Sequence, residues 1–168
     1  DSELAKNAFL KAAEVAKLSN TRIILSLSDS FCVDRHRESF LELIERYVDI
    51  VFCNESEVLS LLKKDSLESC QEYISSLCEL VVVTLGSQGS LIINKGVREI
   101  IEANLTGKVI DTTGAGDIYA GGFIHGLIKN YSLKKCGKIG SICAGQIITQ
   151  LGSRSNIDLQ ELIKNHFA

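Results

Sequence analysis

Apolar residues recur at Leu4, Ala5, Ala8, Phe9, Ala12, Ala13 and Ala16, the three-and-four spacing of one helical face, so residues 4 to 18 are predicted to be helical. Ile23 to Leu27 is a short apolar run, β-branched at its start, and reads as a strand; Ser28, Asp29 and Ser30 then read as a loop. Phe40, Leu41, Leu43, Ile44 and Tyr47 predict a second helix beginning near Asp34, and Val48 to Cys53 a second strand. A short helix is predicted over Glu55 to Leu62, and Ser66 is placed to cap another running to Leu77. Leu80 to Leu85 is the strongest strand signal. Ser90 to Ile93 and Val97 to Ile101 flank Asn94-Lys95-Gly96, a hairpin signal. Val109 and Ile110 are read as the end of a strand leading into a glycine-rich turn. An apolar helix follows from about Ala115 to Lys129, and another from Leu133 to Gln150. Asp158 with Glu161 three residues later resembles a capping box for a last helix.

Helices thus alternate with short strands that are apolar on both faces. Such strands fit a parallel sheet covered by helices on both sides, so the predicted class is an α/β sandwich with a local antiparallel hairpin. In open sheets of this kind ligands collect beyond the carboxyl ends of strands. The residues of interest are therefore those that follow strands.

Composition narrows the picture. Of the 168 residues 45% are apolar and 23% charged, the balance of a folded chain rather than a disordered one. A formal net charge of -3 argues against a broad nucleic-acid surface, which needs clustered Lys and Arg. No apolar run approaches the roughly 20 residues of a membrane span, and no secretory signal opens the chain, so a cytoplasmic protein is expected. The chain opens on Asp1 and holds no methionine, from which a fragment of a longer protein is expected. Its six cysteines show neither CxxC nor zinc spacing and read as reduced, mostly buried thiols.

Three segments carry chemistry. In Asp111-Thr112-Thr113-Gly114-Ala115-Gly116-Asp117 the small residues let the backbone approach a ligand, and the amides at a helix N-terminus form an anion cradle. Asp117 beside it could take a proton from an attacking hydroxyl. Alone, the segment reads equally as a glycine turn with Asp117 complementing the helix dipole. Thr84-Leu85-Gly86-Ser87-Gln88-Gly89 suits a loop over a nucleotide, or a plain strand-to-strand turn; it lacks the Gly-Lys-Ser/Thr ending of a P-loop. Asn54-Glu55-Ser56-Glu57 reads as an Asn cap with acidic first-turn residues, or as a place where Glu57 holds magnesium through water. His36, His125 and His166 form no catalytic constellation.

Together the three segments resemble the PfkB, or ribokinase-like, carbohydrate kinase family, whose C-terminal signature reads here DTTGAGDIYAGG, with Tyr119 in its aromatic place. The family's NxxE element corresponds to Asn54 to Glu57, and its nucleotide loop to TLGSQG. LSLSDSFCVDRHRESFLELI followed by VDIVFCNESEV resembles the adenosine-kinase-like branch seen in bacteria. The resemblance implies a ribokinase-like three-layer α/β/α sandwich with a mostly parallel central sheet, incomplete at the N-terminal side. Residues 1-168 would be the C-terminal, ATP-binding portion of a single kinase domain, without the substrate-binding and lid portion.

By position, the resemblance implies that Asp117 is the catalytic base and that the amides of Gly114, Ala115 and Gly116 form the anion hole. Thr84, Gly86 and Gly89 would line the nucleotide site, and Asn54 and Glu57 would organise magnesium and phosphates. Asp111 and Thr113 would lie near a monovalent-cation loop, completed by the segment around Gly152 and suited to potassium. Where several relatives place an adenine-contacting Asn, this chain has Ser141.

The implied reaction is ATP-dependent phosphorylation of a hydroxyl on a small sugar or nucleoside, adenosine or another ribosyl compound being favoured. A kinase for ribose, fructose or ketodeoxygluconate, and a nucleotide-binding pseudokinase, are the alternatives. The chain alone is expected to be inactive or nearly so, and the full-length form to be capable of homodimerising. Neither a membrane nor a nucleic acid is an expected partner.

Overall fold

The computed structural model describes residues 2–167, the side chains of 71 and 72 apart. Among the described residues eight α-helices and five strands alternate much as the apolar pattern predicts. They begin with α1 (Glu3–Leu18), β1 (Ile24–Ser26), α2 (Ser30–Arg35), α3 (Arg37–Tyr47), β2 (Ile50–Asn54), α4 (Glu55–Leu62) and α5 (Leu67–Leu77). Next come β3 (Leu80–Thr84), β4 (Ser90–Asn94), β5 (Val97–Ile101), α6 (Ala115–Ile128), α7 (Leu133–Ile147) and α8 (Leu159–His166). The strands are ordered β1-β2-β3-β4-β5 in one open sheet. β1 and β2 run parallel, with Ile24, Leu25 and Ser26 opposite Ile50, Val51 and Phe52. Lys95 and Gly96, at φ 48° and 81°, make the two-residue turn that folds β5 back on β4, so the sheet is mixed but mostly parallel. Every residue from Ile50 to Cys53 and from Leu80 to Val83 is buried, as strands covered on both faces require.

The chain divides into two compact units, Asp1–Val83 with Ile93–Arg98, and Thr84–Ile92 with Glu99–Ala168. In the first, Val33, Ile44, Leu61 and Ile74 are fully buried beside the β2 and β3 residues. In the second, Phe123, Ile139, Ile142 and Ile147 of α6 and α7 form the core with Ile92 and Ile101. Burying one such side chain contributes about 1.5–3 kcal/mol.

Local chemistry explains most of the boundaries. Ser66 caps α5, its hydroxyl accepting from the Ser69 N–H. Asp158 caps α8, accepting from Gln160 and Glu161. Each such cap adds about 1 kcal/mol.

Two stretches depart from the sequence expectation. The helix expected near Asp34 starts earlier, because the Asp29 carboxylate accepts from the Cys32 N–H and caps α2; the chain then breaks at His36 before α3. The strand expected to end at Ile110 does not form. The N–H groups of Ile110 and Asp111 both donate to the Ile148 carbonyl, at 2.8 and 3.3 Å, beyond the end of α7. Their backbone thus follows a helix terminus rather than a sheet ladder, and the segment from 102 to 114 is irregular. Among the described residues no helix is long and apolar enough to cross a membrane.

Candidate active site

β3 ends at Thr84 and delivers the chain into the loop that contains Gly86 and Gly89. Gly86–Gln88 make one 3-10 turn, closed by Leu85 N–H donating to the Gly89 carbonyl at 2.8 Å and Gly89 N–H donating to the Gly86 carbonyl at 3.1 Å. Gly89 has φ 93°, and a Cβ there would lie 1.9 Å from the Ile101 carbonyl oxygen. Only glycine lets the loop lie this close to the end of β5.

Gly114 opens α6 in the left-handed conformation, φ 77°, and a Cβ on it would sit 2.5 Å from Ser153 Cβ. The Ala115 N–H donates to the Thr112 carbonyl at 3.1 Å and so tightens the turn. The N–H groups of Gly114, Gly116 and Asp117 make no backbone hydrogen bond among the described residues. They stand at the positive end of a 14-residue helix, where an anion is favoured. The Asp117 carboxylate is exposed, and no hydrogen bond or ion pair engages it among the described residues. A free carboxylate beside free amides can accept a proton next to a bound phosphoryl group.

These elements meet in a cavity of about 360 Å³. The loop contributes Thr84, Gly86, Ser87 and Gly89, and α6 contributes Ala115, Gly116 and Tyr119. Ala103, Leu105, Val109, Ala144 and Ile148 give it an apolar wall, which suits the flat face of a base. Ser141 also lines it, but the hydroxyl is occupied: it accepts from the Asn104 N–H and donates to the Glu102 carbonyl, both at 2.8 Å. Asn104 is a lining residue that sequence reasoning missed, since it lies in an irregular segment with no motif to mark it.

Asp111 joins this turn to a distant segment. Its Oδ1 accepts from the Thr113 N–H and its Oδ2 from the Gly152 N–H, each at 2.9 Å. Hydrogen bonding from the Thr113 side chain, and then from these two N–H groups, holds its carboxyl below the usual carboxylate range. The segment around Gly152 is therefore brought to Asp111, and its Ser153 lies beside Gly114.

Asn54 and Glu57 lie in the other compact unit, at the start of α4. They form a reciprocal capping box: Asn54 Oδ1 accepts from the Glu57 N–H at 2.9 Å, and the Asn54 N–H donates to Glu57 Oε2 at 2.9 Å. Asn54 Nδ2 donates to Glu57 Oε1 at 2.7 Å. Burial pushes the Glu57 carboxyl up, the Asn54 N–H opposes this, and the Asp29 charge adds to it. Each Glu57 oxygen keeps a further lone pair, so the carboxylate can still accept from a metal-bound water. Among the described residues no three His, Cys, Asp or Glu side chains cluster as direct metal ligands.

The profile of a family described as pfkB family carbohydrate kinase matches residues 1–160. A probable sugar kinase protein from Rhizobium etli is similar in structure, with a TM-score of 0.93 and 40% identity over 97% of this chain and 50% of its own. The adenosine kinase from Sinorhizobium meliloti gives a TM-score of 0.93 and 39% identity over 96% of this chain and 50% of its own. Adenosine kinase from Anopheles gambiae, solved with P1,P4-di(adenosine-5) tetraphosphate, gives 0.78 and 27% identity over 88% and 48%. The chain spans about half the length of the relatives it matches.

Proposed function

We propose, from the premise that this chain belongs to the pfkB family of carbohydrate kinases, that it supplies the nucleotide site and catalytic base for phosphoryl transfer from ATP to a hydroxyl of a small sugar or nucleoside. The observation that carries this reading is the first turn of α6. Gly116, whose N–H is free, lines the cavity, and a free Asp117 carboxylate follows one residue later.

The base of ATP lies against the apolar wall, with its phosphates running past Gly86 and Gly89 to the amides of Gly114 and Gly116. Those amides stabilise the charge that develops on the transferring group. Ala115, whose own N–H tightens the turn, shapes the cradle. Asp117 orients the acceptor hydroxyl and takes its proton late, as a loose transition state allows. Asn54 and Glu57 would hold magnesium through water, and the metal would supply positive charge for phosphoryl transfer. Asp111, which accepts from the Gly152 N–H, and Thr113 would shape a loop suited to potassium.

The likeness to the Sinorhizobium adenosine kinase favours adenosine or a related ribosyl acceptor. Because the chain spans about half of the kinases it resembles, acceptor recognition would draw on residues beyond it, and the 168-residue chain by itself is expected to turn over little or nothing. The test is ADP production by a longer form extended at its N-terminus, offered adenosine, ribose, fructose and ketodeoxygluconate with magnesium and potassium. Asp117→Asn in that form abolishes most turnover and leaves ATP binding intact. Equal turnover in the variant overturns the role of Asp117. ATP binding without turnover of any acceptor would favour the pseudokinase reading.

A further inference from the structure

The nucleotide loop and the helix bearing Asp117 are joined by one buried polar contact. Ser90 directly follows Gly89, and Tyr119 lies two residues beyond Asp117. Their hydroxyls share a hydrogen bond of 2.6 Å, with Ser90 0% and Tyr119 4% exposed. A buried hydroxyl without a partner is costly, so each group holds the other in place.

Both ends of the contact are fixed. The Tyr119 ring lies against Gly140, where a Cβ would come within 3.1 Å of two ring atoms, and stacks on Phe123 with centroids 6.3 Å apart. On the other side Ser90 inherits its place from Gly89, which is pressed onto the Ile101 carbonyl. Tyr119 and Gly89 both line the cavity, so the contact joins the helix residue to the neighbour of the loop residue.

We propose that Ser90 and Tyr119 are a positioning pair that sets the spacing between the loop Thr84–Gly89 and the free amides of the first α6 turn, so that one nucleoside triphosphate engages both. The inference rests on the kinase reading above. Neither hydroxyl acts on the reacting atoms; both act through Gly86, Gly89, Gly116 and Asp117. A purely structural contact lowers stability when removed but leaves the relative affinities of nucleotides alone. A positioning contact places the loss on the phosphates.

The test uses Tyr119→Phe, Ser90→Ala and the double variant in the 168-residue chain, titrated with ATP and with AMP in the presence of magnesium. Each single variant lowers the ATP-to-AMP affinity ratio roughly tenfold, and the double variant lowers it no further. The double variant removes both hydroxyls and leaves no orphan, so it folds even where a single variant does not. An unchanged ratio in the double variant, with ATP still bound, overturns the positioning role alone. A wild-type chain that binds neither nucleotide overturns the kinase reading, and this inference with it.

Discussion

Gly145 of α7 packs so closely on Asn104 that a Cβ added to the glycine would lie 1.7 Å from the Asn104 carbonyl oxygen. This contact seats the irregular segment after β5 on the helix, and both residues line the cavity. Gly145→Ala must therefore displace backbone rather than a flexible side chain. Overpacking of this kind costs about 1–3 kcal/mol. For a chain of this size that lowers Tm by roughly 2–4 °C per kcal/mol. The variant should melt several degrees lower and bind ATP more weakly. An unchanged melt would mean that the segment moves freely and is not part of the cavity wall.

Gly116 is the opposite case. A Cβ there meets nothing within 4 Å, and no positive φ demands glycine. Gly116→Ala should keep or slightly raise stability, since alanine is favoured over glycine in a helix by about 0.5–1 kcal/mol. Helical Cβ atoms tilt toward the N-terminus, so the added methyl enters the space assigned to phosphate. ATP affinity should fall roughly tenfold while the melt holds. Equal ATP affinity in the variant would remove Gly116 from the cradle.

The sequence read these two glycines unequally. Gly116 belongs to a motif whose small residues and neighbouring carboxylate advertise an anion site, and the structure places it on the cavity. Gly145 lies inside an apolar helix, and its reason for being glycine is a carbonyl 41 residues earlier in the chain. Periodicity is a local signal and carries no trace of such a contact. The same distinction separates α4 and α5, whose caps sit beside them in sequence, from the 102 to 114 segment. That segment takes its backbone partners from Ile148 and Ser141 of the α7 region, so the strand expected before Asp111 could not be judged from Val109 and Ile110 alone. Ser141 shows the limit in a second way. Its position was legible from the resemblance, but not the engagement of its hydroxyl with Glu102 and Asn104.

Glu57 makes stability depend on pH. Its folded carboxyl is raised above the ordinary value by burial and by the Asp29 charge, despite the Asn54 N–H. The folded state therefore holds this proton more tightly than the unfolded state. The contribution is complete below the unfolded value and is lost as pH rises through the folded one. Glu57→Gln removes the ionisation and keeps an acceptor for the Asn54 N–H. Its urea midpoint relative to wild type should therefore climb as pH is raised from about 4 to 8. Midpoints that run parallel across that range would mean that water reaches the carboxylate when it ionises.

The cysteines give a readout of the helix pair that carries the site. All six are free thiols. Burial pushes Cys53 far up and Cys143 to about 11, and raises Cys70, Cys78 and Cys136 as well. The thiolate is the reactive form, so at pH 8 very little of Cys143 is nucleophilic, and that fraction is also shielded. Cys143 packs beneath α6, where a Cβ on Gly122 would lie 3.2 Å from its Sγ. Half-buried Cys32 should therefore be alkylated first in the native protein, with Cys53 and Cys143 labelled only through opening. Saturating ATP should slow the Cys143 reaction further, because a ligand held by the closed form stabilises it by RT ln(1 + [L]/Kd). Peptide mass spectrometry over a labelling time course reads both effects. Labelling of Cys143 at the rate of Cys32, with or without ATP, would mean that α6 and α7 separate readily and cannot hold a preformed phosphate cradle between the nucleotide loop and Asp117.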